Sequence, residues 1–222
     1  MPNEELSKLF PSVFFNSLDT MKILFLSDIH GSVAALDAVL DFYDSHRYKM
    51  LVLLGDFLNY GPRNGLFDGL DPNTVAGRLS KYASQIVAVR GNCDSEVDQM
   101  LLNFPMQSTY SILAQNGIRF FLTHGHVYNE KQLPTAPSCD VFVYGHTHLP
   151  VLREANAEQG SPIILNPGSP TFPKEGNPPT FATFAYDTLA IRTLDGTAIE
   201  VLENISKKVA DWKKAHTPDS IG

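Results

Sequence analysis

Cysteine is scarce, with Cys93 and Cys139 the only two among 222 residues. Two is too few for a disulfide framework in a domain of this size, so packing must hold the fold, and the cytoplasm is the expected compartment. No apolar run reaches the roughly 18 residues that a membrane-spanning helix needs, so no membrane partner is expected. Basic residues are also few, 17 against 24 acidic ones, for a net charge of −7. They form no block that could track a phosphate backbone, which argues against long nucleic acid as a partner. A secretory leader is not legible either, because residues 1–8 carry Glu4 and Glu5 and no long apolar stretch with a cleavage site follows. Internal repeats and low-complexity tracts are absent.

What remains is an ordinary globular composition, 43% hydrophobic and 18% charged, sufficient for one well-buried domain. Residues 1–20 read as an appended N-terminal arm, because the first strong strand begins just after Met21, itself a candidate start. Residues 21–204 read as the domain. Residues 205–222 read as a C-terminal tail, in which 205–216 suit a helix that packs Val209 and Trp212 back on the body.

Residues 21–27 form a continuous apolar run, the pattern of a strand buried on both faces. Residues 32–46 then turn to helical spacing at Val33, Leu36, Val39, Leu40 and Tyr43. Residues 50–54 repeat the buried strand, 72–83 read as a helix and 85–89 as a third strand. Such alternation predicts a parallel sheet with helical crossovers. After a further predicted helix at 94–102 the rhythm changes. Residues 108–114 and 118–123 flank Gln115-Asn116-Gly117, a hairpin signal because Asn-Gly tolerates positive φ. Residues 141–144 suit another buried strand, and the segments 163–165, 180–186, 190–193 and 199–202 read as antiparallel strands. The expected fold class is α/β with at least one mixed sheet.

Five short segments share one design, in which an apolar strand ends and ligand-type residues follow at once. They are Ser27-Asp28-Ile29-His30-Gly31, Gly55-Asp56, Gly91-Asn92-Cys93-Asp94, Thr123-His124-Gly125-His126 and Gly145-His146-Thr147-His148. Strand ends of an open α/β sheet converge on one crevice, so a shared site is the natural expectation. The segments hold five of the seven histidines together with carboxylates, a ligand mixture suited to manganese, iron or zinc. Asp-x-His and His-x-His put both side chains on one side of an extended chain, so Asp28 and His30 are expected to reach one ion.

The ordered series Asp-x-His, Gly-Asp, Gly-Asn-Cys-Asp, His and Gly-His-x-His resembles the calcineurin-like metallophosphoesterase family. The runs 58–64, 90–104, 144–151, 166–169 and 173–178 resemble its YfcE-type bacterial phosphodiesterases, so the likeness extends over residues 21–202. The resemblance implies a four-layer α/β/β/α sandwich of two mixed sheets. It implies a dinuclear, metal-dependent phosphoric diester hydrolase, in which a metal-bridging hydroxide attacks a small-molecule phosphate diester. Asp28, His30 and His148 would hold one ion, Asn92, His124 and His146 the other, and Asp56 would bridge both. Elementary chemistry agrees on the bridge, since one carboxylate can hold two cations about 3.5 to 4 Å apart. Manganese is the ion the resemblance suggests, while iron, zinc and nickel fit the same donors. Relatives of this kind often self-associate, so a homo-oligomer is a further expectation.

Around the ions, Asn92 would offer its amide NH2 to a phosphate oxygen, and Asp94 would fix its loop through hydrogen bonds. Arg63 could bind phosphate through its bidentate fork, or serve only as a surface or capping group. His126 could face the substrate or satisfy a buried hydrogen bond. Many relatives carry histidine where this chain has Cys93, although YfcE-type relatives share the cysteine. A thiol, with a reference pKa of about 8.5 against roughly 6.5 for imidazolium, is the weaker proton donor. Slower chemistry, or a preference for good leaving groups, is expected.

Plainer readings stand beside these. His46 and His216 read as surface residues, Cys139 as a small buried one, and 166–169 as either a wall of the site or a tight turn. The same ions could serve a phosphomonoesterase or nucleotide pyrophosphatase. A non-catalytic binding module of the same fold is the alternative of another class, but every expected ligand position holds a competent ligand.

Overall fold

The computed structural model describes residues 21–134 and 138–216; the expected arm at 1–20 and the end of the expected tail beyond 216 lie outside them. Ile23–Leu26 (β1) is wholly buried, as a strand covered on both faces must be. Ser32 caps the helix Val33–Ser45 (α1) by accepting the Ala35 N–H, and the helix buries Leu36, Val39, Leu40 and Tyr43. Met50–Leu53 (β2), Pro72–Ser80 (α2) and Ile86–Ala88 (β3) follow. α2 ends earlier than the spacing predicts, because the chain tightens into a 3-10 turn at Ala83–Gln85 before β3. Ser95 and Asp98 close a capping box on the short helix Glu96–Leu101 (α3).

Tyr110–Gln115 (β4) and Ile118–Thr123 (β5) form the hairpin expected at Asn116-Gly117, whose φ angles are 53° and 77°. Then come Val141–Val143 (β6), Pro150–Arg153 (β7), Ile163–Pro167 (β8), Thr180–Ala185 (β9), Thr188–Thr193 (β10) and Ala198–Leu202 (β11). The first sheet runs β11-β10-β9-β1-β2-β3, parallel from β1 to β3 and antiparallel elsewhere. The second runs β4-β5-β6-β8-β7. The reading of 163–165 as an antiparallel strand is corrected in part. β8 lies parallel to β6 and antiparallel only to β7, because the side-chain pattern of one strand says nothing of its partner's direction. β7, half-buried and opened by a proline, carries too weak a pattern to be read from sequence.

The sheets face each other across a core in which Ile23, Phe25 and Val52 meet Phe120, Leu122, Val141 and Leu165. The other face of the first sheet, through Leu24, Leu26, Leu51 and Leu53, packs with Leu36, Val39 and Val75 of α1 and α2. On the outer face of the second sheet, Phe121, Phe142, Tyr144 and Ile164 pack with Tyr128, Leu133 and Cys139 of the β5–β6 loop. The architecture is thus α/β, two mixed sheets with helices. The last helix, Ile205–His216 (α4), sends Ile205 and Val209 into the inter-sheet core. Burying such a side chain contributes about 1.5 to 3 kcal/mol, which is what docks the helix.

Candidate metal centre

Asp28, His30, Asp56, Asn92, His124, His146 and His148 lie just beyond the C-terminal ends of β1, β2, β3, β5 and β6, and the fold brings them together. Asp28 Oδ1 lies 3.3 Å from His148 Nε2, 3.7 Å from His30 Nε2 and 4.0 Å from His124 Nε2. Asp56 Oδ2 lies 3.5 Å from His124 Nε2 and 3.8 Å from His30 Nε2. Asn92 Oδ1 is 3.0 Å from His124 Nε2. His146 stands beside His124, their ring centroids 5.1 Å apart, and its backbone N–H donates to Asp28 Oδ2 at 2.9 Å. That bond ties the second sheet's ligand loop to the first sheet's.

The backbone achieves this differently from the expected extended geometry. Asp28, His30, Asp56, His146 and His148 have φ of 57°, 51°, 56°, 67° and 61°, all in the left-handed region that costs a non-glycine residue on the order of 1 to 3 kcal/mol. Convergence of Asp28 with His30 was expected, but it comes from a turn and not from strand alternation. The turn is held by lacing between loops. The N–H groups of Asp28, His30 and Gly31 donate to the carbonyls of Gly55, Asp56 and Phe57 at 3.1, 3.0 and 2.9 Å. Close approach also demands glycine, since a Cβ on Gly91 would lie 2.1 Å from Asp56 Oδ1 and one on Gly145 would lie 1.9 Å from Ser27 Oγ.

Three histidines share one orientation. His30, His124 and His148 each direct Nδ1 at a backbone carbonyl, of Asn59, Leu54 and Phe172 respectively, at 2.7 Å. A carbonyl only accepts, so Nδ1 carries the hydrogen and Nε2 turns inward. There His30 Nε2 faces His148 Nε2 at 3.3 Å, and Asp28 Oδ1 is buried with no hydrogen-bond donor. Buried acceptors aimed at one another repel unless a cation lies among them. The groups Asp28–His30–His148, Asp28–Asp56–His124 and His30–Asp56–Cys93 each bring three ligand atoms within 4.8 Å of one another. The donor set fits divalent cations.

Protonation follows from the same neighbours. Burial would raise the Asp28 carboxyl, but His124 and His148 outweigh it and hold it below the ordinary value. Asp56 behaves alike, with His124 and the Cys93 N–H overcoming its burial. Burial would lower the His124 imidazole, yet Asp28 and Asp56 lift it to about 9. Burial lowers His30 and His146. Cys93 is pushed up to about 12 by burial and then by Asp56, so it is a neutral thiol at physiological pH. Asp94 is raised to about 6 by burial and the Asp56 charge, against the pull of three backbone N–H groups.

Above the cluster opens a cavity of about 570 Å³, lined by His30, Asp56, Asn92, Cys93, His146 and His148 with Arg63 and Lys174. Arg63 therefore stands at the site. His126 is exposed, its ring 5.3 Å from that of His124, and does not line this cavity. Asn166 and Ser169 are both turn and brace. The Asn166 amide donates to Gly145 O at 3.1 Å and Thr147 Oγ1 at 2.9 Å, and the Ser169 hydroxyl donates to Asp28 O at 2.9 Å. Sequence reading missed Lys174 and the orienting carbonyls of Leu54, Asn59 and Phe172. A backbone carbonyl leaves no mark in a sequence, whereas Lys174 lay within the recognised run 173–178.

Residues 21–189 match the calcineurin-like phosphoesterase superfamily domain. The chain belongs to that superfamily. Its chemistry is metal-dependent hydrolysis of phosphoesters. Phosphodiesterase YfcE of Escherichia coli K12 is 47% identical over 179 residues, covering 81% of this chain and 95% of the relative. Phosphodiesterase MJ0936 of Methanocaldococcus jannaschii is 24% identical over 155 residues, covering 67% and 83%. The solved structure of the E. coli phosphoesterase YfcE superposes with a TM-score of 0.77 at 45% identity, covering 82% of this chain and 98% of that one. Zinc-bound Vps29 from Entamoeba histolytica shares the fold at a TM-score of 0.52 and 20% identity, over 83% and 99%.

Proposed function

We propose that this superfamily member is a dinuclear phosphodiesterase acting on a small-molecule diester. One ion would take Asp28, His30 and His148, the other Asn92, His124 and His146, with Asp56 shared between them. The observation that carries this reading is the shared orientation of His30, His124 and His148, with Nδ1 fixed outward on carbonyls and Nε2 turned onto Asp28 and Asp56. Two divalent ions bound there would polarise the phosphoryl oxygens and make water a nucleophile at neutral pH.

The chain's own residues do the rest. Asn92 sits at the rim with its Nδ2 3.3 Å from Cys93 Sγ, placed to donate to a phosphate oxygen. Cys93, a neutral thiol, is a poor acid, so the substrate's leaving group must depart with little help. Asp94 fixes the Asp56 and Gly91 backbones. Arg63 binds substrate anion at the cavity wall. His126, outside the cavity, takes at most the outer part of a substrate. The relative named phosphodiesterase, 47% identical over most of its length, supports a diester over a monoester. Manganese is the proposed ion by family likeness, with iron, zinc and nickel compatible with the donors.

The catalytic unit is residues 21–204, with α4 packed onto it. Two cysteines free of disulfides support the cytoplasm, and among the described residues no helix is long and apolar enough to cross a membrane. The edge strands β4 and β11 expose Tyr110, Ile112, Ile199 and Val201, surfaces on which a homo-oligomer would form.

Elemental analysis of protein purified without chelator, joined to rates on bis(4-nitrophenyl) phosphate and 4-nitrophenyl phosphate with manganese, tests the reading. Metal bound at both subsites and faster diester hydrolysis are expected. Faster monoester hydrolysis would move the assignment to a phosphomonoesterase, and metal-free, inert protein would leave a binding module.

A further inference from the structure

Two cations at the mouth of the metal cavity have no side-chain partner among the described residues. Arg63 and Lys174 line it and are exposed, and neither side chain has a hydrogen-bond or ion-pair partner among the described residues. In a chain of net charge −7, two unpaired cations beside one cavity call for an anion.

Their mounting shows which end of the cavity they serve. Arg63 belongs to the loop whose Asn59 carbonyl accepts the His30 Nδ1–H. Gly61 places that loop beside the site, where an added Cβ would make ordinary contact with Cys93 Sγ at 3.4 Å and His30 Cε1 at 3.7 Å. Lys174 follows Phe172, whose carbonyl accepts the His148 Nδ1–H, and the Lys174 N–H donates to the His148 carbonyl at 3.4 Å. Phe67, in the Arg63 loop, meets Phe172 edge to face with centroids 5.2 Å apart, which clips the two segments together. Both cations are therefore mounted on the segments that orient His30 and His148.

Charge balance says what they bind. Two divalent ions, if bound, would be largely offset by Asp28, Asp56, a hydroxide nucleophile and a singly charged diester. Arg63 and Lys174 line the same cavity with no carboxylate paired to either among the described residues, so their charge is open to a second anionic group of the substrate. The cavity, about 570 Å³, lies within the range that accommodates a ligand much larger than one phosphate group.

We propose that the substrate is a phosphate diester bearing a second, terminal phosphate on the arm that passes His30 and His148, and that Arg63 and Lys174 hold that phosphate together. Arginine supplies the planar fork and lysine the mobile point charge, a pairing suited to a terminal phosphate. This rests on the phosphodiesterase reading above and names its substrate class.

The test uses the full, manganese-loaded chain and three thymidine dinucleotides, phosphorylated at the 5′ end, at the 3′ end, or at neither. One phosphorylated form is expected to exceed the unphosphorylated one in kcat/KM by about tenfold or more, the worth of one charge-assisted contact. Arg63→Gln and Lys174→Gln should each bring that ratio towards one, and the ratio is the readout whatever happens to the absolute rates. A ratio near one in the unaltered chain, or a ratio both variants preserve, overturns the proposal.

Calorimetry separates this from the activity assignment. Thymidine 3′,5′-bisphosphate should bind about tenfold tighter than thymidine 5′-monophosphate, and the double variant should lose the difference. If that advantage is present but no dinucleotide is cleaved, the diesterase reading fails and the second phosphate site stands. If dinucleotides are cleaved without preference and the two ligands bind alike, the reverse holds.

Discussion

Asp94 holds Asp56 by the backbone. Its Oδ2 accepts the Asp56 N–H at 2.8 Å and the Gly91 N–H at 2.7 Å, and its Oδ1 accepts the Phe57 N–H at 2.9 Å. Asp56 in turn sits at φ 56° and accepts the Cys93 N–H on Oδ1 at 2.8 Å. The two aspartates thus lock the loops after β2 and β3 to each other, and the left-handed turn at the proposed bridging residue is maintained by a neighbour that touches no ligand atom.

Asp94→Ala should therefore damage both stability and metal binding. It strands three backbone donors, at about 1 to 3 kcal/mol for each that stays buried and unsatisfied. Urea denaturation is expected to show a loss of several kcal/mol, and metal titration a weakened Asp56 site. Asp94→Asn, which keeps one acceptor oxygen, should fall between. Unchanged denaturation midpoints in both variants would remove Asp94 from this role.

Cys93→His should raise turnover of simple diesters. The thiol, held in its neutral form by burial and the Asp56 carboxylate, is a weaker proton donor to the departing alkoxide than an imidazolium. The gain should be larger for alkyl than for nitrophenyl leaving groups, because the latter need no proton. An unchanged or slower alkyl reaction in steady-state assays would count against this account.

His124 carries a pH signature. Its folded value of about 9 lies above the ordinary 6.5, so its protonated form contributes stability in full below pH 6.5 and loses it as pH rises towards 9. Chelator-treated protein should lose stability across that window. Ligation requires the neutral ring, so manganese added near pH 7.5 in weak buffer should release protons, read with an indicator dye. Metal uptake without proton release would be inconsistent with His124 as a ligand.

Ile205→Ala probes the last helix. Ile205 is fully buried in the inter-sheet core, and truncation there typically costs about 2 to 5 kcal/mol. Thermal unfolding should show a clear drop, with diester hydrolysis at 25 °C retained by the folded fraction. A melting temperature equal to that of the unaltered chain would mean the helix is a dispensable tail.

The sequence by itself determined which residues could be ligands and that they follow strand ends, because ligand chemistry belongs to side-chain type and buried strands announce themselves as apolar runs. It also determined the β4–β5 hairpin, since Asn116-Gly117 tolerates the positive φ that turn requires. Only the tertiary structure decided how Asp28 and His30 converge, by left-handed turns laced to the loop after β2, and that His30, His124 and His148 are aimed by the carbonyls of Asn59, Leu54 and Phe172. It alone decided the parallel pairing of β8 with β6, the docking of Ile205 and the place of Lys174 with Arg63 at one cavity. Backbone carbonyls, strand direction and contacts between distant loops are properties of the folded chain, and no residue type or spacing encodes them locally.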